Sequence, residues 1–95
     1  MSTTQTPYAK FSLGAIVVTH GARTRLNDND VASALVRHVS GDWGEIDQED
    51  RRLNDDALAH GGRLLSAYVD RKRTRFFIIT EADRSATTIL LPEEY

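Results

Sequence analysis

Three short strand-like runs close the chain, and they constrain the fold more than any other stretch. Arg63 to Val69, Arg75 to Thr80 and Ala86 to Leu91 are apolar or β-branched, and polar connections at Asp70 to Thr74 and Glu81 to Ser85 separate them. Runs of this length joined by such connections pair as an antiparallel meander. In the first of them Leu64, Ser66 and Tyr68 fall on one face and Leu65, Ala67 and Val69 on the other. Arg75 to Thr80 is the most apolar and is predicted to lie inside the sheet; Pro92 stops the pairing of the last run. Earlier, Phe11 to Thr19 turns β-branched toward its end with no helical period, which predicts another strand, with Ile16 and Val18 on one side and Val17 on the other. Gly21 breaks that strand, and a short helical turn fits His20 to Leu26.

Between these strands the period changes. From Val31 to Val39, Val31, Leu35 and His38 stand at i, i+4 and i+7, with Ala34 among them and Ala32, Val36 and Val39 as an adjacent stripe; this is a helix. Asp28, Asn29 or Asp30 is expected to cap its start, and Ser40-Gly41 ends it. Asp42-Trp43-Gly44 makes a tight loop, after which Asp47 caps a second helix from about Gln48 to Ala59. That helix is expected to point Leu53, Ala57 and Leu58 inward and Arg51, Arg52, Asp55 and Asp56 outward. Gly61-Gly62 closes it. The order is β-α-α-β-β-β, an α+β fold in which two helices cover one face of a four-stranded, mostly antiparallel sheet.

With 95 residues the chain is a single domain over residues 10–95, and the polar residues 1–9 read as a disordered tail. No cysteine is present, so disulfides and thiolate metal sites are excluded. Apolar clusters such as Phe76 to Ile79 fall far short of the roughly 20 residues a membrane span needs, which predicts a cytoplasmic protein. The net charge of −2 offers little bulk attraction to nucleic acid. It is unevenly spread: Asp42 to Asp56 holds seven acids against two arginines, whereas Arg63 to Arg75 holds five bases against Asp70 alone. Such a dipolar chain is suited to steering a charged partner.

Candidate chemistry concentrates in two places. The stretch from Arg37 to Asp50 contains the one tryptophan and a dense group of carboxylates. Asp42, between turn residues, is expected to bond its own backbone, and Trp43 either plugs the edge of the core or stands out as a contact anchor. Glu45, Glu49 and Asp50 complete the candidate partner-binding set. The other place is an alternative site at Asp83-Arg84-Ser85, with His38 beside it, in which Arg84, Arg63 and Arg75 could line one sheet face as a phosphate-binding set. His38, at the end of the first helix, is expected to act as a cap favoured by the helix dipole. His20, His38 and His60 lack the spacing of a metal site, and no Gly-rich phosphate loop, nucleophile elbow or HExxH motif occurs. No cofactor or metal is expected, and no motif commits the chain to a reaction.

Certain runs carry a resemblance. They are Arg37-His38 with Gly41-Asp42-Trp43-Gly44, Glu49-Asp50 with Asn54, Arg63 to Tyr68, Ile78 to Ser85, and Thr87 to Tyr95. From Phe11 to Tyr95 the sequence resembles a group of small bacterial proteins carried on plasmids, phages and other mobile segments, often labelled type I restriction-modification M subunits. That label implies methyl transfer, which needs a Gly-rich cofactor loop and an Asn-Pro-Pro-aromatic motif; neither occurs here. This chain also carries His20-Gly21 where the group tends to have Pro-Gly. The element order is similar, in topology alone, to ribonuclease toxins of the RelE type, which cut mRNA on a basic sheet face.

The leading expectation is a non-enzymatic protein-binding or regulatory protein of a mobile element, acting through the Trp43 loop and the acidic second helix. The alternatives are a RelE-like ribonuclease using Arg63, Arg75, Arg84 and a histidine, and an acidic nucleic-acid mimic that inhibits a host defence enzyme. The partner is expected to be another protein, with nucleic acid a possible but less favoured partner and no membrane, and an unpaired sheet edge offers a route to a homodimer.

Overall fold

A computed structural model describes residues 9–95. The expected tail over residues 1–9 therefore lies almost wholly outside the described residues. The elements are β1 (Ala15–Val18), α1 (His20–Arg25), α2 (Asp28–Val39), α3 (Gln48–His60), β2 (Leu64–Val69), β3 (Arg75–Thr80) and β4 (Ala86–Leu90), followed by a 3-10 turn at Pro92–Glu94. The sheet order is β1-β4-β3-β2, with β2–β3 and β3–β4 antiparallel and β1–β4 parallel. The α+β fold is as the hydrophobic pattern predicts, and β3 is an interior strand.

Register decides which face each strand residue joins. Tyr68 lies opposite Phe76, and Ile78 lies between Ser66 and Ile89, so these side chains share one face. Ala22 and Leu26 of the α1 segment and Val31, Ala34 and Leu35 of α2 pack onto that face, with Leu91 at its margin. Phe76, Ile78 and Ile89 are fully buried, and each contributes roughly 1.5–3 kcal/mol relative to exposure. On the opposite face Phe77 meets Tyr95 edge-on at 5.9 Å and lies under the Arg75 guanidinium.

Several local expectations shift. The first strand is Ala15–Val18 only, because Gly14 takes φ +64 and breaks the run before it. Helix α2 begins a turn earlier than predicted: Asn27, not Asp28, Asn29 or Asp30, is the cap, accepting from the Asp30 N–H at 3.1 Å. Asp30 is freed to take Arg71, and Asp70 accepts from the Asn27 N–H at 3.0 Å, so the β2–β3 turn is tied to the start of α2. Val36 is 53% exposed, which narrows the buried stripe to Val31, Ala34, Leu35, His38 and Val39. At the other end Glu94 accepts from the Thr19 hydroxyl at 2.6 Å, from the Gly21 N–H at 3.0 Å and from the Leu91 N–H at 2.8 Å. The Thr19 bond first, with the backbone N–H groups, holds this carboxyl below the ordinary range. Its place is architectural, joining the chain's last residues to the β1–α1 junction.

Among the described residues, no helix is long and apolar enough to cross a membrane.

Candidate functional site

The segment from Arg37 to Asp50 leaves α2, turns, and runs along the outer edge of β2. Gly41 adopts φ +85 and ends the helix. Asp42 then accepts from the Gly44 N–H at 3.2 Å, the predicted Asx turn, and from Arg37 Nε at 2.7 Å. The Arg37 hydrogen bond is the main reason its carboxyl lies below the usual range. Both partners are half exposed, so this pair adds little stability. Beyond the turn, Gly44 bridges Ala67 of β2 in parallel: Ala67 N–H donates to the Trp43 carbonyl at 3.2 Å, and Glu45 N–H donates to the Ala67 carbonyl at 2.7 Å.

Trp43 is in the core, 2% exposed. Its ring stacks on Phe11 at 6.2 Å and meets His38 edge-on at 5.7 Å, and its Nε1–H donates to Asp55 of α3 at 3.0 Å. The loop is a plug for the sheet edge, and the indole is not a contact anchor. The exposed members of the predicted set are Asp42, Glu45, Glu49 and Asp50.

His38 does not cap its helix. It is fully buried, bonded through Nδ1 to Ser66 at 2.5 Å and through Nε2 to Thr80 at 2.9 Å. The direction of each proton follows from the end of the chain of bonds. Thr87 must donate to the Leu13 carbonyl at 2.7 Å, so it accepts from Thr80, and Thr80 accepts from His38. Nε2 therefore carries a proton, and in the neutral ring that burial favours Ser66 donates to Nδ1. Burial first, then the nearby Arg84 charge, push its pKa down to about 4. A serine beside a histidine invites a nucleophile–base reading, but Ser66, Thr80 and Thr87 are all fully buried and no substrate reaches them. This network is structural. Its partners are 28 and 42 residues from His38 in sequence, so no local motif signals it.

The basic set is not assembled. Arg63 and Arg75 share a sheet face by register but stand at opposite ends of β2 and β3, about 20 Å apart at ~3.4 Å per residue. Arg63 reaches toward Glu81 and the Tyr95 hydroxyl. Arg75 lies over Phe77 and donates to the Glu45 carbonyl at 3.4 Å. Arg84, held at φ +61, spends its guanidinium on carbonyls: Gly62 at 2.6 Å, Glu81 and Ala82 at 3.1 Å, and Ala57 at 3.1 Å near the end of α3. It ties the helix end to the β3–β4 turn. Asp83 makes an Asx turn with the Ser85 N–H at 3.0 Å, and the Ser85 carbonyl accepts from the Ala15 N–H. The Asp83–Ser85 loop is a clasp.

What remains open to solvent is α3. Asp47 caps it as predicted, accepting from the Asp50 N–H at 2.8 Å, and Ala57 and Leu58 are half-buried as expected, but the buried residue is Asn54 and Leu53 is not inward. Asn54 continues the edge pairing begun by Gly44: its Nδ2 donates to the Leu65 carbonyl at 2.6 Å and its Oδ1 accepts from the Leu65 N–H at 3.1 Å. A polar side chain at the sheet edge satisfies two backbone groups that a leucine would leave unpaired, and the helix is rotated accordingly. Leu53 is 56% exposed as a result. Asn54→Leu is expected to destabilise the fold by about 2 kcal/mol, read as a lowered urea midpoint together with faster exchange of the Leu65 amide.

No family model matches the chain, nor does any curated protein or solved structure.

Proposed function

We propose that the chain is a small non-enzymatic binding protein that presents α3 to a basic protein partner. The observation that carries this reading is the exposure of that helix: of its 13 residues only Asn54 is buried, and Leu53 is 56% exposed. Around Leu53 stand Glu49 at i−4, Asp50 at i−3 and Asp56 at i+3, one apolar side chain ringed by carboxylates. Arg52 pairs with Glu49 at 2.8 Å; among the described residues no such ion pair engages Asp50 or Asp56. Glu45, exposed in the preceding loop, extends the acidic surface. An apolar anchor inside a charged rim fits a partner with a small apolar pocket bordered by lysine or arginine. A mobile-element setting, carried by the sequence resemblance, is consistent with a regulatory partner encoded nearby.

The prediction is specific to this face. Leu53→Asp combined with Asp50→Arg and Asp56→Arg should weaken capture of the partner at least tenfold, with the helical circular dichroism signal unchanged. Capture by the natural protein should also fall as salt is raised. Equal capture by both forms, insensitive to salt, rules the proposal out.

A further inference from the structure

The two edges of the sheet are treated oppositely. The β2 edge is closed by the chain itself, through the Gly44–Ala67 bridge and the Asn54 clamp on Leu65. The β1 edge is bare: no described strand pairs with its outer side, and Ala15, Ile16 and Val17 are all exposed, Ile16 at 47% and Val17 at 45%. Its sequence, Ala-Ile-Val-Val, contains no charge, proline or glycine to blunt it. Natural sheets rarely leave such an edge unmanaged.

We propose that β1 pairs with β1 of a second copy of this chain, antiparallel about a two-fold axis, to join two four-stranded sheets into one. Backbone alternation supports this occupant. The Ala15 and Thr19 N–H groups donate inward to Ser85 and Ile89 on the β4 side, so the N–H and C=O groups of Ile16 and Val18 point outward. Setting Val17 opposite Val17 of the second copy places Ile16 opposite Val18 twice, and four hydrogen bonds form, two at each such pair. The same register sets Val17 against Val17 at the closest side-chain spacing, about 4.5 Å between Cα atoms. Apolar side chains meet apolar ones, with Ala15 opposite Thr19 and Gly14 opposite His20, so no like charges face each other from Gly14 to His20. The edge is complementary to itself, as an isologous contact requires. A strand of four residues buries little area, which puts the contact in the weak class, visible at high protein concentration. The β2 edges, and with them both α3 helices, stay at the outer ends, about 34 Å apart between the two β2 strands at ~4.8 Å per strand.

The experiment uses the full chain, by sedimentation velocity from about 10 to 500 µM, with amide hydrogen exchange at both ends of that range. A concentration-dependent shift from monomer to dimer is expected. It is abolished by Val17→Lys and unaffected by Val69→Lys on β2, both variants remaining folded by circular dichroism. The Ile16 and Val18 amides gain protection with concentration, whereas the Val17 amide, bonded to β4 within each copy, is protected throughout. A monomer at every concentration overturns the proposal. So does a dimer that survives Val17→Lys, which assigns the contact to another surface. Protection of Ile16 and Val18 in a monomer, independent of concentration, also overturns it, because another part of the same chain then covers the edge.

Discussion

Gly44→Ala is expected to destabilise the protein by about 4 kcal/mol, a large share of the roughly 5–10 kcal/mol that holds a domain of this size together. Gly44 sits at φ +75, where an alanine costs roughly 1–2 kcal/mol. Space is the larger obstacle. A Cβ there would meet the Ala67 carbonyl oxygen, and the Tyr68 ring at 2.7 and 2.8 Å, so the loop would have to lift off β2. Lifting it breaks the Glu45–Ala67 and Ala67–Trp43 bonds, each contributing about 1 kcal/mol, and loosens the indole beneath. Gly61→Ala is the control: Gly61 has φ +91 and ψ 148, backbone that an alanine also resists, but an added Cβ meets nothing within 4 Å, so the cost should stay at the roughly 1–3 kcal/mol of backbone strain alone. Urea denaturation followed by Trp43 fluorescence measures both. Equal midpoints for the two variants would show that backbone conformation alone matters at Gly44 and that the close approach does not.

The second large effect is a dependence on pH that one buried residue controls. His38 has a folded pKa of about 4 against an ordinary value of 6.5. Between those values the unfolded chain binds a proton that the folded chain refuses, so stability rises with pH across that window. The contribution is complete above about pH 7 and is lost progressively as pH falls toward 4, about 3 kcal/mol in all. Carboxylates held low by their partners, Asp42 and Glu94 among them, add their own losses in acid. A non-titrating variant separates the two sources. His38→Gln should be less stable at pH 7.5 because its amide cannot match both hydroxyls, yet its stability should fall less between pH 7 and pH 5, where the histidine contribution changes most and the carboxylates least. An equal fall in variant and natural protein would mean that the imidazole is not the titrating group. Both measurements are urea midpoints at fixed pH.

Much of the architecture is legible without coordinates. The three late runs alternate as strands because a pleated, half-buried ribbon selects residues two apart, and Leu64, Ser66 and Tyr68 do share the core face. Asp47 and the Asp42 turn are read correctly for a related reason: a cap or an Asx turn is made within two or three residues, so its signal is local. Local spacing misleads where a distant backbone outranks it. By apolar period Leu53 belongs inside, but the unpaired Leu65 peptide at the β2 edge needs a donor and an acceptor together, and Asn54 supplies both. Trp43 shows the same limit in another form. Its size admits core or contact, and only the neighbouring Phe11, His38 and Asp55 decide for the core.

The candidate sites divide along that line. Arg84 looks like a phosphate ligand in sequence because a guanidinium beside a turn is free until something occupies it, and here four carbonyls do. His38 looks like a helix-end cation, yet the fold encloses it among Ser66, Thr80 and Thr87 and removes its charge. By itself the sequence determined the class of fold, the number of strands, the turns and the acidic character of α3, since these follow from periodicity, caps and charge within a few residues. The tertiary structure alone decided which polar groups are consumed in holding the fold and which are left for solvent. Hydrogen-bond partners dozens of residues apart meet only when the sheet closes, and once the β2 edge has taken Asn54 and Gly44, the described residues leave the face of α3 and the outer edge of β1 open.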